Sequence, residues 1–136
     1  MQEKDLRNQG IISPNMFKLV ILIEAQQDWL KFEQKWPKFL KAAEQMPGLV
    51  RESTSPVHNR LHGSLDISMI HELYFEDRSA LKNAMSSQEG QLAGQILQAI
   101  SDGKVTLLFA DHLEDELANI KALQSPPKEG PPGDRA

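Results

Sequence analysis

Two short stretches decide the fold of this chain: FKLVILI at residues 17–23 and VTLLFA at residues 105–110. Both are rich in β-branched and other apolar side chains, which is typical of β-strands. Successive side chains of a strand lie on opposite faces, so Leu19 and Ile21 share one face while Val20 lies on the other. The second stretch is likewise apolar at neighbouring positions. The predicted sheet is therefore apolar on both faces along these two strands.

An apolar surface on both faces has a consequence for assembly. The helices of a two-layer domain cover one face of a sheet, and the other face is normally polar. Each buried aliphatic side chain stabilises the fold by about 1.5–3 kcal/mol, and monomers avoid exposing a continuous patch of them. The chain has no residues left for a second sheet. We therefore predict a homodimer in which the sheet of another copy stacks on this one, with about 10 Å between the two sheets. The alternative is a monomer with two unusually apolar strands.

The segments between these strands complete an α+β pattern. A helix is predicted first, followed by an extended segment at 49–57 and a strand at 69–75. Ser79 or Asp77 can cap a short helix, and Ser87 precedes a longer one. The resulting order, β-α-β-β-α-β, predicts a ferredoxin-like α+β sandwich that forms a dimeric α+β barrel with its second copy.

Composition excludes several classes of protein. The 136 residues suffice for one domain, and the net charge of −4 without any block of Lys and Arg argues against nucleic-acid binding. The absence of cysteine excludes disulfides, thiolate metal sites and a cysteine nucleophile. The longest apolar run, 19–23, is too short to cross a membrane, and residues 1–5 lack the apolar stretch of a signal peptide. A cytoplasmic protein without membrane partners is expected.

The two ends of the chain differ in composition from its middle. Residues 1–15 are polar and are predicted to form a flexible tail. The other end contains SPPKEGPPG at 125–133, which has neither the hydrogen-bond donors nor the apolar pattern of a helix or strand. The predicted folded domain therefore spans 16–117, with a disordered Pro/Gly-rich tail at 118–136.

Several segments together resemble the EthD family, whose members are small proteins that form a dimeric α+β barrel. The matching features are the two apolar strands, Phe32 and Trp36 on the first helix, MPGL at 46–49, HELYFED at 71–77 and SQEG at 87–90. The resemblance covers nearly the whole predicted domain. It implies a homodimer that binds a small apolar or aromatic molecule and needs no cofactor.

One position departs from the family pattern. Relatives usually carry a histidine four residues after the tryptophan, whereas this chain has Leu40 there. If that histidine performs acid–base work in relatives, this chain lacks it. The resemblance therefore leaves open whether the protein is an enzyme.

Candidate catalytic residues lie on the predicted strand at 69–75. Glu72 shares a face with Tyr74, and His71 lies on the opposite face. Burial would raise the pKa of Glu72 toward neutrality and make it a general base beside Tyr74. The alternative is that Glu72 pairs with Arg51 or Arg60 on a neighbouring strand. His71 is a candidate as well, or a hydrogen-bonded histidine of the core or interface.

The first helix supplies a candidate pocket wall. Phe32, Trp36 and Leu40 fall on one helical face, where they either wall an apolar pocket or form ordinary core. Asp28 can cap this helix, and Pro37 is expected to kink or divide it. A kink there would open the pocket.

No metal site is predicted. His58 and His62 have a spacing that could bind zinc on a helix, but the residues around them are typical of a loop.

Two functions remain open. One is an EthD-like dimer that binds a small apolar or aromatic molecule, with cofactor-independent oxidation or proton transfer as its enzymatic form. The other is a non-catalytic dimeric binding or scaffold module.

Overall fold

The computed structural model describes residues 15–118. In chain order the elements are β1 (Met16–Glu24), α1 (Trp29–Ala43), β2 (Arg51–Pro56), β3 (Ile67–Phe75), α2 (Arg78–Ser86), α3 (Gln88–Ser101) and β4 (Val105–His112). They form one compact unit, Met16–His112. A second unit comprises Met1–Asn15 and Leu113–Ala136, of which 113–116 have no regular secondary structure and 117–118 are helical. Most of the two predicted tails lies outside the described residues, so the domain limits stay a prediction.

The four strands form one antiparallel sheet in the order β2-β3-β1-β4. The two apolar stretches of the sequence are thus neighbours, with Ile21 of β1 paired to Leu107 of β4 on one side and to His71 of β3 on the other. The predicted ferredoxin-like α+β fold is confirmed. None of the helices within residues 15–118 is long and apolar enough to span a lipid bilayer.

Within Met16–His112 the three helices pack on one face of the sheet only. Along β1 the residues alternate strictly between buried and half-buried, and the buried set is Phe17, Leu19, Ile21 and Ile23. These side chains share the core with residues of all three helices, among them Phe39, Leu81 and Leu97. We call the opposite side of the sheet the open face. It carries Lys18, Val20 and Leu22 of β1, Ser68, Ile70, Glu72 and Tyr74 of β3, Arg51, Ser53 and Ser55 of β2, and Thr106, Leu108, Ala110 and His112 of β4.

Side-chain caps begin each helix. Asp28 Oδ1 accepts a hydrogen bond from the Lys31 amide at 3.1 Å, and Asp77 Oδ1 accepts one from the Ala80 amide at 2.8 Å. Ser87 Oγ accepts from the Gly90 amide at 3.0 Å. These bonds satisfy backbone donors that have no partner inside the helix, which is why the predicted starting points are correct.

Of the two alternatives predicted for Pro37, division of the first helix is wrong. Pro37 does not divide the first helix, because α1 runs from Trp29 to Ala43; buried Phe32 and Phe39 anchor it on both sides of the missing hydrogen bond. Gly90 of α3 lies against the end of α2, where an added Cβ would overlap the carbonyl of Ala84.

Candidate functional site

Glu72 lies at the centre of a polar cluster on the open face. Its Oε2 accepts a hydrogen bond from Lys18 Nζ at 2.8 Å, and its Oε1 accepts from Tyr74 Oη at 3.0 Å and Ser53 Oγ at 3.3 Å. The residues come from three adjacent strands, which places them side by side. The cluster is therefore built by the register of the sheet rather than by neighbours in sequence.

The expected partner of Glu72 is wrong. The charge beside it comes from Lys18 on β1, and not from Arg51 or Arg60. Arg60 donates to the carbonyl of Leu65 at 3.2 Å in the segment between β2 and β3. Lys18 can reach Glu72 because its Cα partner is Tyr74, two residues along the same face of β3.

The expected pKa shift of Glu72 is also wrong in direction. Burial acts to raise the pKa of this carboxyl, but hydrogen bonds from Lys18, Tyr74 and Ser53, together with the charge of Lys18, outweigh it and hold the pKa below its usual value. Glu72 is thus an ionised carboxylate at neutral pH. Such a group orients Lys18 and Tyr74 well and accepts protons poorly.

Tyr74 is enclosed by charged and aromatic side chains. The guanidinium carbon of Arg51 lies 4.1 Å from the ring centroid, and Lys18 Nζ lies 5.5 Å from it. The His112 ring meets it edge-on, with 5.0 Å between centroids. Tyr74 is only 4% exposed as a result. Both contacts with cations are of the cation–π kind, so they fix the position of the ring.

An apolar surface adjoins the polar cluster on the open face. It is formed by Val20, Leu22, Ile70 and Leu108, which meet as cross-strand pairs: Leu22 with Ile70 and Val20 with Leu108. Leu108 is 48% exposed, and no helix within Met16–His112 covers this side of the sheet. The open face therefore combines an apolar wall with oriented polar groups.

His71 lies on the other face, among the helices. It is fully buried, with Thr54 Oγ1 at 2.8 Å from Nδ1 and Glu52 Oε1 at 2.9 Å from Nε2. The rings of Trp36 and Phe39 meet it edge-on. Burial lowers the pKa of His71 to about 4, against the opposing influence of the Glu72 and Glu44 charges. The predicted separation of His71 from Glu72 and Tyr74 is correct, and His71 is a neutral, hydrogen-bonded core histidine.

The aromatic residues of α1 form a continuous stack. Ring centroids are 5.5 Å apart for Phe32 and Trp36 and 5.0 Å apart for Trp36 and Phe39. Phe32 is buried, and Trp36 and Leu40 are half-buried against the core. A cavity between helices and sheet measures about 30 Å³, room for about one water, and none of Phe32, Trp36 and Leu40 lines it. Their role as the wall of a ligand pocket stays a prediction.

Sequence reasoning missed three members of the open-face cluster, namely Lys18, Ser53 and His112, and considered Arg51 only as a partner of Glu72. The strand register would have revealed this cluster, because it pairs Tyr74 with Lys18 of β1 on one side and with Arg51 of β2 on the other. His58 and His62 are exposed, and among residues 15–118 no group of three or more potential ligand side chains is placed to hold a metal ion.

Glu72→Gln tests the ionised state of this carboxyl. Gln keeps the shape but loses the charge-assisted bond from Lys18, so we expect the free energy of unfolding at pH 7 to fall by about 1 kcal/mol. A depressed pKa stabilises the fold above the ordinary value of 4.5 and loses this effect as pH falls. The difference between the variant and the parent should therefore shrink below that pH. Urea unfolding at pH 7 and pH 3.5 measures it, with Glu76→Gln, an exposed carboxyl just after β3, as control. A constant difference at both pH values would contradict the assignment.

Comparison with known proteins supports the architecture. No family model matches the sequence, and a search of curated proteins finds no match. Among solved structures, an EthD (ethyl tert-butyl ether degradation) family protein from Bacillus halodurans C-125 is similar over 71% of this chain and 98% of its own, with a TM-score of 0.67 and 22% identity. The chain has the fold of an EthD family protein. The EthD-type fold predicted from the sequence is thereby confirmed.

Two further structures share this EthD-type fold more distantly. A dimeric ferredoxin-like protein of unknown function from Jannaschia sp. CCS1 matches with a TM-score of 0.51 and 21% identity, over 71% of this chain and 97% of its own. A protein from Caulobacter crescentus CB15, provisionally described as an antibiotic biosynthesis monooxygenase, matches with a TM-score of 0.51 and 14% identity, over 79% and 99%. At these identities the likeness shows the fold and leaves the chemistry open.

Proposed function

We propose that the chain forms a homodimer in which two open faces stack and enclose a chamber for a small apolar or aromatic molecule, as an EthD-like protein. The observation that carries this proposal is the open face itself. It presents Val20, Leu22, Ile70 and Leu108, which no helix of the Met16–His112 unit covers, next to the oriented cluster around Glu72.

Stacking two such faces would bury the apolar side chains of both copies. Each aliphatic side chain removed from water contributes on the order of 1.5 kcal/mol or more, and the two-fold operation doubles every contact. The similar Jannaschia protein is described as dimeric, which supports the same arrangement here. In the stacked pair, Tyr74, Ser53 and Lys18 border the enclosed space from each side and supply polar contacts for a ligand.

As an enzyme, the protein would catalyse cofactor-independent oxidation or proton transfer in this chamber. Glu72 and Tyr74 remain its candidate residues, with Glu72 acting by orienting Tyr74 and Lys18 rather than by taking a proton at neutral pH. His71 faces the helices and would act on the chamber only through the sheet.

A second candidate is a dimeric binding or scaffold module without catalysis. Glu72 favours it, because both carboxylate oxygens already accept bonds from Lys18, Tyr74 and Ser53. Leu40 offers no imidazole at the position where the family usually has one. This module would form the same dimer and chamber as the first candidate, but it would not turn over a substrate.

Indole binding tests the chamber. We expect indole to bind the intact dimer and Ile70→Trp to weaken binding at least tenfold, because a tryptophan at this half-buried open-face position fills the enclosed space. Leu92→Trp is the matched control, since Leu92 is 52% exposed on α3, on the other side of the sheet. Isothermal titration calorimetry gives the affinities, and sedimentation confirms that each variant stays dimeric. Equal indole affinity in both variants, or none in the parent, would count against the chamber.

A further inference from the structure

A groove lies between α2 and the outer strand β4 on the helix side of the sheet. Its apolar floor is formed by Phe17 of β1, Leu81 of α2 and Phe109 of β4. Phe109 is on the helix side because it pairs with Leu19, which is part of the core. The groove has a volume of about 470 Å³, which is typical of a site for a small molecule. It is separate from the proposed chamber, which lies on the open face.

The aromatic part of this floor is accessible from outside. Phe17 and Leu81 are buried, whereas Phe109 is 58% exposed. The rings of Phe17 and Phe109 are inclined to each other by 43°, with 6.1 Å between centroids. They therefore form one continuous apolar surface that begins in the core and ends in the groove. A molecule with an apolar body would remove this surface from water.

Two cations border the apolar floor. Arg78 and Lys82 lie four residues apart on α2, so they share a face of the helix with Leu81. The guanidinium carbon of Arg78 lies 5.2 Å from the centroid of the Phe17 ring. Within residues 15–118 neither cation forms an ion pair with a carboxylate. Their positive charge is therefore available to an anion that lies against the floor.

Asp111 supplies a negative charge to the same groove. It lies on β4, and its Cα partner is Phe17 of the floor. Two cations and one carboxylate give the lining residues a net charge of +1. This balance favours a ligand with a single negative charge, because a second one would be repelled by Asp111.

We propose that the groove between α2 and β4 binds a small carboxylate with an apolar body, which covers Phe17 and Phe109 while its carboxylate is bound by Arg78 and Lys82.

The lining of the groove favours this class of ligand over two others. A neutral apolar molecule would cover the floor but would leave Arg78 and Lys82 without an acceptor. A polar anion such as inorganic phosphate would contact the cations and gain nothing from the floor. A carboxylate uses both features, and it can accept two parallel hydrogen bonds from a guanidinium, which would fix its orientation.

Titration with 2-naphthoate tests this site. Ile70→Trp serves as the background, because it fills the proposed chamber on the open face and leaves the groove unchanged. We expect 2-naphthoate to bind at least tenfold more tightly than 2-naphthamide, which has the same rings and no charge. Phe109→Ser should weaken the binding of both molecules at least fivefold, since it removes the accessible part of the floor. Isothermal titration calorimetry measures all four affinities.

Charge reversal at the border of the groove identifies the cation that binds the carboxylate. Lys82→Glu should weaken the binding of 2-naphthoate at least tenfold and leave that of 2-naphthamide unchanged within about twofold. Lys38→Glu is the matched control, because Lys38 is exposed on α1 and does not line the groove. It should leave both affinities unchanged.

Three results would overturn the proposal. They are equal affinities for 2-naphthoate and 2-naphthamide, equal effects of Lys82→Glu and Lys38→Glu, and dissociation of the dimer by Phe109→Ser. The last would show that a second copy covers the groove, and sedimentation velocity of the variant measures it. The groove lies within one chain, so a parent protein that fails to bind indole would contradict the chamber and leave the groove untouched.

Discussion

Gly90→Ala is expected to lower the free energy of unfolding by about 3 kcal/mol, although it adds only one methyl group. This is the largest change in stability that we predict. A Cβ at this position would overlap the backbone carbonyl oxygen of Ala84 and come within contact of Met85 Cα. Both neighbours belong to the backbone of α2, so neither can rotate away as a side chain would. The junction between α2 and α3 must move, and buried Leu81 and Ala93 would lose packing with it.

Gly94→Ala is the matched control for this prediction. It lies one turn further along α3, and an added Cβ would meet no atom within 4 Å. Alanine is favoured over glycine inside a helix by about 1 kcal/mol, so this variant should be more stable than the parent. Urea unfolding of the two variants measures both effects. Equal stability of Gly90→Ala and Gly94→Ala would show that the close approach of α3 to α2 is not as the structure places it.

Leu108→Asp is expected to weaken dimerisation at least 100-fold. The side chain is 48% exposed on the open face beside Val20, so in a stacked pair it would be transferred into an apolar interface. An aspartate there places an unpaired carboxylate from each copy in that interface, which costs about 3 kcal/mol or more. Within one chain the position is already half-exposed, so the fold itself should change little.

Leu92→Asp separates this effect from a general loss of apolar surface. Leu92 is 52% exposed on α3, and the substitution makes the same change in charge. We expect it to leave the dimerisation constant unchanged within about twofold, because α3 lies on the other side of the sheet. Sedimentation velocity across a concentration series gives both constants. If the two variants dissociate alike, the open face is not the interface.

Local features of the sequence were sufficient to predict much of the fold. Alternation in a strand placed His71 and Glu72 on opposite faces, and short polar residues marked the helix starts at Asp28, Asp77 and Ser87. Each of these features depends on backbone geometry within a few residues. The order of the elements followed from them, and the similarity of the solved structures confirms the resulting fold.

The candidate site was harder to predict because it depends on strand register. Lys18 and Glu72 lie 54 residues apart in sequence, and only the alignment of β1 with β3 brings their side chains together. Register is set by packing of the whole sheet and by long connections, not by local propensity. The direction of the Glu72 pKa shift depends on the same contacts, which is why burial alone led to the wrong sign.

The chemical role of the site, the absence of nucleic-acid partners and the cytoplasmic location stay predictions. The resemblance to the EthD family and the match of folds carry the architecture, and Leu40 is a reason not to transfer a reaction from relatives. The proposed chamber depends on this dimer, because two open faces are needed to enclose it.

Sedimentation equilibrium of the unmodified chain at micromolar concentration tests that dimer most directly. We expect a single species at twice the chain mass of 15.3 kDa. Stable single chains at every concentration, with Leu108 and its neighbours left in contact with water, would contradict it and remove the proposed chamber.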